Sequence, residues 1–221
     1  MPHASTTFSV LRSSIGAKAL MAVTGVVLFG FVLGHMVGNL QVFAGPERLN
    51  GYAKTLHSMP ALVWIVRLTL LFALVLHIVA SVKVAIRSKR ARPERYHRVR
   101  YGAATYASRT MRLSGPIIAA FVIYHLMHFT TGNAHPSFQP GDVYHNVVVG
   151  FSNPLVSGFY ILAQILLATH LFHGVWSLFQ TLGLNRPGLD RRLRTGAALF
   201  ATVVAVGNIS MPVAVLAGLV R

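Results

Sequence analysis

Four histidines, His35, His77, His125 and His170, each stand inside a different long apolar stretch of the chain. An ionisable side chain within a bilayer is costly and is seldom kept without a task. Four of them on four separate helices can supply two pairs of axial ligands, so the pattern points to two haems held between membrane helices. The porphyrin fills four of the six positions on haem iron. Two imidazoles fill the others and leave none for oxygen or substrate, which makes such a haem an electron carrier. Small residues share the ligands' helix faces: Gly34 and Gly38 beside His35, and Gly174 beside His170. Each ligand also needs an acceptor for its second ring nitrogen, which fixes the tautomer.

Two further histidines compete for the role. His128 follows His125 by three residues and His173 follows His170 by three, so each shares its neighbour's helix face. Spacing and depth leave both choices open. A membrane histidine can also serve as a plain polar contact between helices. His3, His57, His97, His135 and His145 fall in tails or loops and read as solvated.

The elements that must position these residues are apolar helices. Of 221 residues, 54% are hydrophobic and only 11% charged, against about 25% charged in soluble domains. The chain therefore reads as a membrane protein. Acidic residues number four, Glu47, Glu94, Asp142 and Asp190, and none lies in an apolar span. That argues against a carboxylate-driven proton pump and against a hydrolase built on paired carboxylates. Cysteine is absent, which excludes disulfides, thiolate zinc sites, iron–sulfur clusters and covalently attached haem within the chain. The net charge of +16 comes largely from residues at span ends, which indicates membrane topology and not a nucleic-acid site.

A hydrocarbon core needs about 20 mainly apolar residues per helix. Five stretches qualify: about 16–40, 61–86, 113–133, 154–182 and 195–219. The expected fold is an all-α, polytopic bundle of five transmembrane helices forming one domain over residues 1–221. The first stretch follows Arg12 and Lys18 as a signal peptide would, but its apolar part is too long, and it reads as a retained helix. Most prolines fall in loops or first turns, with Pro116 expected in the first turn of the third span and Pro212 inside the fifth. Between spans two and three lie Arg87, Lys89, Arg90, Arg92, Arg95, Arg98, Arg100, Arg109 and Arg112, and between four and five lie Arg186, Arg191, Arg192 and Arg194. The 41–60 loop has only Arg48 and Lys54, and the 134–153 loop has no basic residue. The excess of positive charge places the N-terminus and both basic loops in the cytoplasm, or the matrix of an organelle, and the C-terminus outside; the expected location is the cytoplasmic (inner) membrane, crossed several times.

Orientation turns residue number into depth. His35 and His125 fall in the outer half of the bilayer; His77 lies in the inner half, and His170 at or just past the midplane. Two layers result, His35 with His125 and His77 with His170.

Around these histidines stand Gly34-His35-Met36-Val37-Gly38-Asn39-Leu40, the Leu76-His77 region, Phe121-Val122-Ile123-Tyr124-His125 and His170-Leu171-Phe172-His173-Gly174-Val175-Trp176-Ser177, with Ser13-Ser14-Ile15-Gly16 opening the first helix. In this order they resemble the single-chain, five-helix, dihaem cytochrome b anchor of succinate dehydrogenase and fumarate reductase. The resemblance implies ligands on the first four helices, pairing first with third and second with fourth, and favours His125 over His128 and His170 over His173. It implies an iron–sulfur subunit and a flavoprotein as partners, two haem b as cofactors, and membrane quinone, menaquinone in expectation, as substrate. It also allows a trimer of whole complexes. Ser14 and Lys18, one turn apart on the first helix, resemble the quinone-site residues of such anchors; the competing reading is a capping serine and an interfacial lysine. Asn39, Gln41, Tyr52 and His57 are candidates for a second, outer quinone site. Arg67 either neutralises a haem propionate or reaches for the interface. The alternatives to this function are the cytochrome b subunit of a formate dehydrogenase or hydrogenase, and a haem-free transporter.

Overall fold

The computed structural model of the protein describes residues 13–91 and 106–221, without the side chains of 106–109 and 112. Arg12, Arg92, Arg95, Arg98 and Arg100, together with His3, Glu94 and His97, lie outside the described residues. The described elements are all helical: α1 (Ser14–Asn39), a 3-10 turn (Leu40–Ala44), α2 (Pro46–His57), α3 (Pro60–Arg90), α4 (Tyr106–Phe129), α5 (Val143–Ser152), α6 (Pro154–Thr181) and α7 (Asp190–Leu216). Four stretches are long and apolar enough to cross a membrane: α1 with its 3-10 extension, α3, α6 and α7. The apolar part of α4, Leu113–Phe129, is shorter.

Local chemistry sets the helix starts. The Ser13 hydroxyl accepts from the Gly16 N–H at 2.9 Å and caps α1. Asp142 caps α5 by accepting from the His145 N–H at 2.9 Å. Asn153 caps α6 by accepting from the Leu155 N–H at 2.9 Å, with Pro154 at the first position, where its missing N–H costs nothing. At the far end of α6, Gly183 takes φ 70°. This left-handed turn lets the Leu184 N–H reach the Phe179 carbonyl at 2.9 Å and the Gly183 N–H reach Gln180 at 3.1 Å, which closes the helix.

α4 begins well before the apolar stretch, so Pro116 stands in its interior and not in its first turn. The residues ahead of Leu113 are polar and basic, and hydrophobicity alone does not show the helix continuing through them. The two loops of sequence 41–60 and 134–153 are also more ordered than loops, since α2 and α5 fill much of them. The Asn50 amide ties them together: it donates to Asp142 Oδ1 at 2.9 Å, and its oxygen accepts from the Tyr144 N–H at 2.9 Å.

In the bundle α6 packs most fully on α7, α1 on α3, and α4 on α6. The buried positions of α3 are Ala73 and Ala80, small enough to let α1 come close. Large apolar side chains such as Ile65, Leu68, Phe72, Leu162 and Val206 face outward, as a lipid-facing surface requires. One core cluster joins α2 and α5 to the helix ends beneath them through Leu49, Phe121, Phe151, Tyr160 and Met211. A second, around Met36, Leu171, Ala201 and Val204, joins α1, α6 and α7. At the opposite end Asp190 accepts from Trp176 Nε1 at 3.0 Å, from the Asn185 amide at 2.8 Å and from Arg194 Nε at 2.8 Å.

Candidate functional site

Two helix pairs matter for the histidines, and neither is closely packed. Among the described residues α1 and α4 share no substantial contact, nor do α3 and α6. Imidazoles nevertheless meet across both gaps. The rings of His35 on α1 and His125 on α4 have centroids 5.8 Å apart, and those of His77 on α3 and His170 on α6 are 6.5 Å apart. The first pair lies one turn from the helix ends that carry α2 and α5. The second lies deeper, towards the end where α1 begins. Thr24, which touches His77, precedes His35 by about three turns of α1, or about 16 Å of rise.

Carbonyls and hydroxyls orient these rings. His77 Nδ1 is 3.1 Å from the Met21 carbonyl and 3.1 Å from Thr24 Oγ1. A carbonyl can only accept, so Nδ1 carries the proton and Nε2 keeps its lone pair. The Thr24 hydroxyl gives its own proton to the Leu20 carbonyl at 2.8 Å, which leaves its oxygen free to accept from His77. Ser114, 1% exposed, holds His170 Nδ1 at 3.3 Å in the same way while donating back to Met111. His125 Nδ1 lies 3.4 Å from Tyr160 Oη. The His35 ring stacks on Phe31, with centroids 5.2 Å apart. None of these partners was picked out from sequence. Hydroxyl residues inside apolar spans were the available signal, and Thr24, Ser114, Ser157 and Tyr160 are buried ones.

The residues present fit a haem. Metal–imidazole bonds of about 2 Å put two rings on opposite sides of one iron with centroids roughly 6 Å apart, close to both observed separations. Among the described residues no three His, Asp or Glu side chains are placed to hold a metal ion together, so an ion held by either pair needs its other ligands from elsewhere, as a porphyrin supplies them. Gly30 and Gly34 on α1, Gly115 on α4 and Gly174 on α6 have nothing within 4 Å of where a Cβ would stand. Gly38 differs from the sequence expectation: a Cβ there would meet the Tyr52 ring, so it makes room for a side chain of α2.

The rival histidines belong to neither ring pair. His128, 1% exposed, lies against Tyr160, with Nδ1 3.0 Å from its hydroxyl. The His173 ring packs near Trp176, with centroids 6.0 Å apart. His135, read from sequence as solvated, is partly buried; its ring is 5.1 Å from that of His128 and its Nε2 reaches the Asn146 carbonyl at 2.9 Å. Ser14 and Lys18 are both exposed on the first turns of α1. The α1 cap is Ser13, and Ser14 instead accepts from Arg87 Nη1 of α3 at 3.4 Å. Arg67 lies over Trp64, 5.4 Å from the ring centroid.

A family model for the succinate dehydrogenase/fumarate reductase transmembrane subunit matches residues 86–209, more than half of the chain. The chain belongs to this family. As a succinate dehydrogenase/fumarate reductase transmembrane subunit it is a membrane protein with several apolar helices, one part of a larger oxidoreductase. It is also similar to the succinate dehydrogenase cytochrome b558 subunit of Bacillus subtilis (strain 168), at 25% identity over 187 residues, which covers 84% of this chain and 89% of the relative. No solved structure matches the chain.

Proposed function

We propose that this subunit is the dihaem cytochrome b anchor of a succinate:quinone oxidoreductase, crossing the membrane five times, with α4 as the third span. The pairing of imidazoles across two helix pairs that otherwise leave a gap carries this reading. His35 and His125 are the ligands of the haem nearer the outer face, and His77 and His170 those of the inner one. When bound, the haems supply one-electron carriage between the iron–sulfur subunit, which carries the flavoprotein, and membrane quinone.

The chain's own residues do the positioning. The Met21 carbonyl and the Thr24 and Ser114 hydroxyls fix the inner ligands with Nε2 free to bind. Tyr160 faces the outer pair. Ser14 and Lys18, with Arg87 beside them, lie at the end of the bundle where basic residues gather and offer donors to a quinone oxygen. That end faces the cytoplasm by the charge rule, so the partner subunits dock there.

A reduced-minus-oxidised spectrum of the purified protein tests the reading. It should show b-type bands with two haems per chain, and a flavoprotein and iron–sulfur protein with succinate-oxidising activity should co-purify. A colourless preparation, or one haem per chain, would overturn it.

A further inference from the structure

Tyr160 is 5% exposed and stands where three aromatic neighbours, Phe121, Phe129 and Phe151, come within 6 Å of its ring, with centroid separations of 5.1, 5.7 and 5.0 Å. Its hydroxyl is the polar point of this enclosure, and it meets two imidazoles of α4: His128 Nδ1 at 3.0 Å and His125 Nδ1 at 3.4 Å. A phenol has one proton to give and lone pairs to receive. If Nε2 of His125 is the coordinating atom, its Nδ1 bears a proton, which must go to the Tyr160 oxygen. The phenol proton then goes to His128 Nδ1, and His128 bears its own proton on Nε2. That nitrogen is buried without a partner and faces Gly150, where a Cβ would stand 3.0 Å away. The chain of donation thus runs one way, from His125 through Tyr160 to His128.

The deeper pair is held differently. Thr24 and Ser114 return their protons to carbonyls of their own helices, whereas Tyr160 passes its proton to a second imidazole and becomes a better acceptor for doing so. We propose that Tyr160, oriented by His128, is the positioning residue for His125: it fixes that ligand's tautomer and ring plane and lowers the potential of the outer haem selectively. This rests on the reading of His35 and His125 as haem ligands. A ligand imidazole whose N–H is taken by a good acceptor donates more strongly to iron and favours the oxidised state. It also gives the fully buried His128 a role without making it a ligand.

The test uses the whole purified complex, with haem content, the midpoint potential of each haem and the low-temperature electron paramagnetic resonance signal as readouts. Tyr160→Phe keeps the ring and removes only the hydroxyl. It should retain both haems, raise one potential by the equivalent of about tenfold in the oxidised-to-reduced ratio, or about 59 mV for one electron, leave the other in place, and move one of the two resonance signals. His128→Leu should shift the same haem in the same direction by less, and His128→Asn, which restores an acceptor near Nδ1, should bring it back. Two haems with unchanged or equally shifted potentials in Tyr160→Phe would overturn the positioning role while leaving the ligand assignment intact. Should that variant fail to assemble, a silent His128→Leu overturns the role instead. Absence of haem from the wild-type complex would overturn both readings together.

Discussion

A neutral imidazole has one nitrogen that donates and one that accepts, and burial makes both matter. Leaving either unpaired costs about 1–3 kcal/mol, so the partner at Nδ1 decides which tautomer each of these histidines takes. On the proposed ligand assignment, His125→Ala is expected to lose one of two haems, whereas His128→Ala keeps both; pyridine haemochrome counts on the purified variants check this. The reverse result would exchange the two residues' roles. A second residue-scale prediction lies outside the spans. The His145 N–H and the Asn50 amide both donate to Asp142 and hold its carboxyl below the usual carboxylate value. A lowered folded value means the contribution is present above pH about 4 and is lost as pH falls through the folded value. The thermal midpoint should therefore fall more steeply between about pH 5 and about pH 3 in the wild type than in Asp142→Asn, where the cap persists without a titrating group. Asp142→Ala, which removes the cap altogether, should cost about 1 kcal/mol at neutral pH.

At the scale of elements, the apolar stretches and their histidines were legible because lipid imposes length and makes a polar residue conspicuous. Depth matching then paired His35 with His125 and His77 with His170, and the ring centroids of these pairs stand 5.8 and 6.5 Å apart. What the sequence hid follows from the same physics. α2 and α5 are short and amphipathic, with turn residues around them, so no run of hydrophobicity announced them. Tyr160 and Ser114 touch the histidines only because α6 and α4 rotate them inward, which a linear pattern cannot show. The α1–α3 contact is testable here. Ala80, 1% exposed on α3, leaves no room for growth, so Ala80→Leu should cost about 1–3 kcal/mol by overpacking. The expected signature is a lowered thermal midpoint together with a disturbed spectrum of the haem that the proposal assigns to His77, since that ring leans on α1.

For the whole molecule, the distribution of charge is the organising fact. Lys18, the Arg87–Arg90 turn and the Arg191–Arg194 turn gather at one end, and the other end, under α2 and α5, carries few cations among the described residues. The natural chain has no cysteine, so a single introduced one reports sidedness without interference. Lys54→Cys should react with an impermeant maleimide added outside intact cells, and Arg186→Cys should react only after the membrane is opened. The opposite pattern would invert the bundle and exchange the two levels of histidines.

The displacement of the two imidazole pairs along the bundle has an electrical consequence. Their levels differ by about 16 Å, roughly half of a hydrocarbon core about 30 Å thick. On the proposed haem assignment, an electron exchanged between them would move through about half of any voltage across the membrane, worth about 1.2 kcal/mol per 100 mV. At about 100 mV that would bias occupancy of the two levels roughly eightfold, so under this assignment the voltage across the lipid would act directly on where the electron rests.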